Sequence, residues 1–240
     1  MITRRSEFWK GVKAELPLLL GVVPFGMIFG VLAVNAGIPP LAGQAMSSII
    51  FAGSAQFVAY QMIALGAPGL VIILTIGVVN LRHALYSASI APYLTKLSPL
   101  WKCLLAYLLT DEAYAVTILH YLQTDEKPDA DPTWNASSTH SLRHWFFLGC
   151  GLTLWASWQA STALGIFLGA AVPAGWSLDF TLALTFIAIV VPVLKDRSSL
   201  LAGIAAGVVA LLTRSLPFNL GLVTAALVGI LAGVCLEGRR

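Results

Sequence analysis

The stretch TIGVVNLRHALYSASIAPYL, residues 75–94, decides how the chain is read. It lies in an apolar run that begins near Pro68, yet it carries Asn80, Arg82 and His83 almost at its centre. An arginine at the middle of a membrane-spanning helix costs about 2.5–3.5 kcal/mol on insertion scales, so it must face protein or water. From Arg82 either end of the run is about a dozen residues away, roughly 18 Å along a helix, beyond the reach of a snorkelling side chain. On a helix Asn80, His83 and Ser87 share one face, and Arg82, Tyr86 and Ser89 share another about 100° round. Two readings follow: the segment is polar on a wide front that faces the interior of a bundle, or its helix is interrupted near Asn80.

The rest of the chain has the composition of a membrane protein. Of 240 residues 58% are hydrophobic and 10% charged, against about 45–50% and about 25% in soluble domains. The expected fold is an all-α polytopic membrane protein with seven to eight transmembrane segments, forming a single transmembrane domain over 1–240. The segments are expected at 16–36, 41–65, 68–94, 100–122, 145–172, 178–194, 199–213 and 217–236. The seventh is short enough to be a half-helix or a re-entrant piece. The basic leader with Arg4, Arg5, Lys10 and Lys13 reads as the flank of an uncleaved first span, with the N-terminus cytoplasmic. Under a plain eight-span count Lys96 and Lys102 fall outside, against the positive-inside rule, so the parity stays open and a segment within 17–94 that does not cross simply is one solution. Trp9, Trp101, Trp145 and Trp176 fall at segment ends, as interfacial rings do.

The net charge of +3 is spread over loops and ends, so nucleic acid is not an expected partner. Cys103, Cys150 and Cys235 have neither disulfide nor metal-ligand spacing. No cofactor is expected, and no activated nucleophile marks an enzyme. "NAS" at Asn135 reads as a chance match to a glycosylation acceptor, and Ser177 and Asp179 read as helix caps. Glycines four apart at Gly26/Gly30, Gly165/Gly169, Gly203/Gly207 and Gly229/Gly233 let helices approach closely. The pairs in FGMIFG and LGIFLG, each followed by a Pro/Gly turn, give the two halves a faint similarity that leaves an inverted repeat open.

Further polar groups interrupt apolar runs. Asp111 and Glu112 sit in the middle of the fourth segment, with Tyr107, Asp111 and Tyr114 on one helical face. One proton on a carboxyl group or on His83 would balance Arg82 against the two acids, so His83, Asp111 and Glu112 are the expected proton-coupling residues. In SSIIFAGSAQF, Gly53 and Ser54 weaken a helix, and one restarting at Ser54 would aim its N–H groups at an anion. Close packing is the competing explanation for that glycine and serine. The expected substrate-binding residues are Ser54, Gln56, Asn80 and Arg82.

With these residues in view, PFGMIFG (24–30), FAGSAQF (51–57), NLRHALYS (80–87) and TDEAY (110–114) resemble the AzlC family of branched-chain amino acid permeases, large subunit. The second half, with LGIFLG and LDFTLALTFIAIVVPVL, resembles it more loosely. The resemblance implies an exporter of leucine, isoleucine, valine and related amino acids in the inner membrane. It also implies a small AzlD-type membrane subunit as partner in a hetero-oligomer. The residue roles given above come from chemistry rather than from the resemblance. A passive pore for small zwitterions or ions is the alternative function.

Overall fold

The computed structural model describes residues 3–125, 136–169, 197–217 and 220–237. Among these every regular element is a helix. Three runs go from one end of the molecule to the other. The first joins α1 (Arg4–Glu15) to α2 (Leu19–Asn35) through a single 3-10 turn at Leu16–Leu18, where Pro17 removes a backbone donor. The second joins α5 (Gly69–Val79) to α6 (Leu81–Ile90) at Asn80 and ends in the 3-10 turn Ala91–Leu94. The third is α9 (Ala136–Gly169). By length and hydropathy Arg4–Asn35 and Gly69–Leu94 could each cross a bilayer.

The α1–α2 run and α9 lie side by side in the same direction. A methyl group at Gly11 would fall on the Phe146 carbonyl, one at Gly30 on that of Thr162, and one at Gly165 on that of Met27. The close approach expected at Gly26/Gly30 and Gly165/Gly169 is therefore real, and the pairs in FGMIFG and LGIFLG pack against each other, whereas Gly207 of the expected Gly203/Gly207 pair faces open space. Since their helices run parallel, these two motifs lend no support to an inverted repeat of the two halves.

Two of the expected crossing segments do not cross. In 41–65, α3 (Pro40–Ile49) and α4 (Gly53–Ala64) are joined at Phe51–Ala52 and double back. Gln56 donates to Ser47 Oγ at 2.9 Å although nine residues separate them, a gap of about 13 Å on a straight helix. Tyr60 then packs with Ile38 and Leu32, back at the end from which α3 set out. In 100–122, α7 (Pro99–Tyr107) and α8 (Asp111–Asp125) do the same at Leu108–Thr110. Trp101 meets Trp145 and His144 at ring separations of 5.1 and 4.9 Å. The Tyr121 hydroxyl donates to the nearby Arg143 carbonyl at 2.9 Å. A straight helix would hold Trp101 and Tyr121 about 30 Å apart.

Both expected spans are thus corrected to half-depth hairpins. The cause is local. Phe51 has φ +40, a left-handed conformation costly for a bulky residue, and Gly53 follows it. Thr110 accepts from Ala113 N at 3.3 Å and starts α8 with two acids in its first turn.

A long helix followed by a half-depth hairpin therefore occurs twice, in opposite orientations: α1–α2 with α3/α4, then α5–α6 with α7/α8. The two hairpin tips touch. The Tyr107 hydroxyl donates to the Ser48 carbonyl at 2.7 Å and accepts from Trp155 Nε1 at 2.8 Å. Gln159 Nε2 donates to the Ser47 carbonyl at 3.0 Å. These two bonds satisfy carbonyls that α3 leaves open at its C-terminus. The expected face of Tyr107, Asp111 and Tyr114 does not exist, because the break puts Tyr107 on the other arm.

Helices α10 (Arg197–Leu212) and α11 (Leu220–Glu237) pack antiparallel, with Gly229 against Ala206 and Gly233 against Ala202. The expected segment 178–194, Asn135, Trp176, Ser177 and Asp179 lie outside the described residues.

Candidate substrate and proton site

The breaks place three helix starts together. Gly53 begins α4, Leu81 begins α6 and Asp111 begins α8, so unbonded N–H groups and the positive ends of three dipoles gather at half depth. Arg82 joins them. Its Nη1 donates to Asp111 Oδ2 at 2.6 Å and its Nη2 to Ser54 Oγ at 2.7 Å. The guanidinium fork thus ties the long helix α5–α6 to the inner ends of both hairpins. Ser54 does not cap α4, which starts one residue earlier, and its hydroxyl is left to receive the arginine.

The ion pair is neither dry nor fully solvated. The Arg82 side chain keeps 31% and that of Asp111 39% of its accessible surface. A small polar molecule can therefore reach the pair, while the surrounding protein screens it less than water would. Arg82 Nε and Asp111 Oδ1 are covered and have no hydrogen-bond partner among the described residues. Beside them Tyr86 stacks on Tyr114 with ring centres 4.5 Å apart, and the Tyr114 hydroxyl donates to Ser89 Oγ at 2.8 Å. These contacts fix α6 against α8 in parallel register.

Of the residues singled out in the sequence, Ser54, Arg82 and Asp111 come together directly. Asn80 forms the break in the long helix, and its Oδ1 is buried without a partner among the described residues. His83 Nδ1 sits 3.2 Å from the Asn80 carbonyl, and its ring meets Tyr86 edge-on. Glu112 follows Asp111, close enough to feel both Asp111 and Arg82, and it lies within electrostatic reach of Glu15 of α1. Gln56 lies elsewhere: it is fully buried, donates to Ser47 Oγ, and accepts from Trp158 Nε1 at 3.0 Å. It belongs to a network on α9 that includes Ser47 with Thr162 at 2.8 Å and Gln44 with Gln159 at 2.7 Å. An amide two residues from Ser54, in the same turn, is expected from the sequence to face the same cavity. A helix turn of 100° per residue sends it to the opposite side.

Sequence reasoning placed Tyr86 on the Arg82 face without giving it a role, and it passed over Glu15, Ser47 and Gln159. Glu15 stands at the very start of the first apolar run, next to the basic leader, where an acid draws no notice. Its register with Gly11, four residues earlier, was the available signal.

Among the described residues no group of three or more His, Cys, Asp or Glu could hold a metal ion.

The family model for the AzlC protein matches residues 17–172, well over half of the chain and the whole of the hairpin region. The chain belongs to the AzlC family. It is 28% identical over 237 residues to the inner membrane protein YgaZ of Escherichia coli K12, covering 96% of this chain and 82% of that one. It is 30% identical over 234 residues to an uncharacterized membrane protein of Archaeoglobus fulgidus, covering 95% and 94%. A membrane protein of Helicobacter pylori is 33% identical over 119 residues, 48% of this chain. No solved structure matches. The AzlC chain described here is therefore a helical membrane protein.

Proposed function

We propose that this AzlC protein exports branched-chain amino acids across the inner membrane, coupled to protons, together with a small AzlD-type subunit. The observation that carries the reading is the Arg82 fork between Ser54 and Asp111, where two oppositely oriented hairpins meet. A zwitterion needs a cation for its carboxylate and an anion for its ammonium. Here both are present, and they neutralise each other when no substrate is bound. Arg82 and the open start of α4 take the carboxylate, as broken helices do in transporters. Asp111 takes the ammonium, and Phe51 and its neighbours flank the aliphatic tail. An apolar pocket separates side chains differing by one methylene by only about 1–3 kcal/mol, so leucine, isoleucine, valine and methionine should all be carried.

Three full crossings and two re-entrant hairpins over 4–169 also remove the charge conflict. Lys96 and Lys102 fall at the same end as Arg4, Arg5 and Arg143, and the positive-inside rule makes that end cytoplasmic. Irregular backbone at membrane depth is tolerated where protein covers it, and the tips are so covered.

The test is counterflow in liposomes holding the purified protein and its small subunit. A carrier preloaded with leucine accumulates labelled leucine and saturates. A passive pore does neither, and that result would overturn the reading.

A further inference from the structure

Glu15 is the most deeply buried acid that the site does not use. It is 0% exposed, and neither carboxyl oxygen has a nitrogen or oxygen hydrogen-bond partner among the described residues. It faces α8 and α9. From α8, Glu112 acts on it electrostatically, and Thr117, also 0% exposed, has a hydroxyl without a partner. From α9, the Cys150 thiol lies beside it but donates its proton to the Gly11 carbonyl at 3.4 Å. Glu7 is two turns back on α1 and has its own cations, Lys10 at 2.7 Å and His120 at 3.6 Å. Asp111 is held by Arg82. No Lys, Arg or His among the described residues is within ion-pair distance of Glu15.

A carboxylate in such a place, without a cation and with no donor but the weak Cys150 thiol, is strongly disfavoured, so Glu15 is held as the neutral acid. Glu112 differs. It too is largely buried and stands beside Asp111, but in the first turn of α8 its own N–H and the Thr110 hydroxyl reach its carboxyl group, donors that Glu15 does not have. Two carboxyl groups in contrasting surroundings divide the roles of acid and base between them. A sodium ion would need five or six oxygens, and the Gly11 carbonyl is already engaged.

We propose that Glu15 and Glu112 form a proton-binding site behind the Arg82–Asp111 pair, with Glu15 carrying the proton while the two hairpin tips are in contact. The inference rests on the transporter reading for its role in coupling, though not for the presence of the proton. A zwitterion leaves the net charge at the fork unchanged, so the trigger is positional: when substrate parts Asp111 from Arg82, the start of α8 that carries Glu112 is released and the proton can leave. One O–H bond breaks at Glu15 as one forms at Glu112 or water, and no electrons are exchanged.

The experiment uses the full-length protein with its small subunit. Infrared absorption at neutral pH should contain a carboxylic-acid carbonyl band that E15Q removes and E112Q retains. If E15Q does not insert, E15D should shift the band. A wild-type protein without such a band, or a band untouched by both Glu15 variants, overturns the proposal. In liposomes E15Q should lower uphill leucine accumulation driven by a pH gradient at least tenfold, with leucine exchange falling no more than about threefold. Equal loss of both would overturn the coupling role, as would a sodium gradient replacing the proton gradient. A wild-type protein that carries no leucine at all would refute the transporter reading and leave the infrared band to decide the proton site.

Discussion

Arg82 is a residue whose geometry matters as much as its charge. Its fork reaches two partners on different helices, and a lysine supplies one charge from a single point. R82K should therefore lose one of the two contacts. Bonds to charged groups are worth about 1.5–3 kcal/mol, so leucine exchange should fall roughly 10- to 100-fold, with normal insertion seen by size-exclusion of the detergent-solubilised protein. D111N keeps the shape and removes the anion, and it should abolish exchange of the amino acid while S54A raises its KM about tenfold. The sequence made this pair legible, because only Asp111 and Glu112 offer an acid at matching depth. It did not make Gln56 or Glu15 legible. Gln56 shares a turn with Ser54, and Glu15 draws no notice until α1 is seen lying on α9.

The hairpins are the elements that decide the site. Their tips are tied by one hydroxyl, that of Tyr107, which bonds both Ser48 and Trp155. Y107F leaves a carbonyl and an indole N–H without partners, about 1–3 kcal/mol for each buried group. Because the ring is 43% exposed, the lower end of that range applies, and thermal unfolding in detergent should occur several degrees earlier. Sequence periodicity could mark Gly53 and Asn80 as weak points but could not distinguish a kink from a reversal. Both give the same apolar run, and only contacts such as Gln56 with Ser47 separate them.

For the molecule as a whole, the reversals change which loops share a side. In a variant whose cysteines are replaced by serine, A67C should react with a membrane-impermeant maleimide from the same side as G37C. K96C should react only from the side that holds the N-terminus. Straight crossings would exchange these results for positions 67 and 96. The expected boundaries 41–65, 68–94 and 100–122 fall within a few residues of the helix ends, whereas the helix expected at 145–172 begins nine residues earlier, at Ala136. The direction of the chain between them was hidden, apart from the misplaced charges of Lys96 and Lys102. The seam of Gly30 and Gly165 holds the long helices together, and G30L or G165L should yield aggregated protein in fluorescence-detected chromatography, since the added side chain meets backbone rather than a movable side chain.

Because the two hairpins turn back half-way along the long helices, a bilayer spanned by those helices would place the Arg82 fork near its electrical middle. A membrane potential acts on a charge in proportion to the fraction of the field it crosses, about 2.3 kcal/mol per 100 mV for the full width. A proton entering from either face would thus traverse roughly half, ~1.2 kcal/mol at 100 mV. Inward and outward steps would then share the voltage dependence evenly, a balance that current or potential-jump recordings on the reconstituted protein can read.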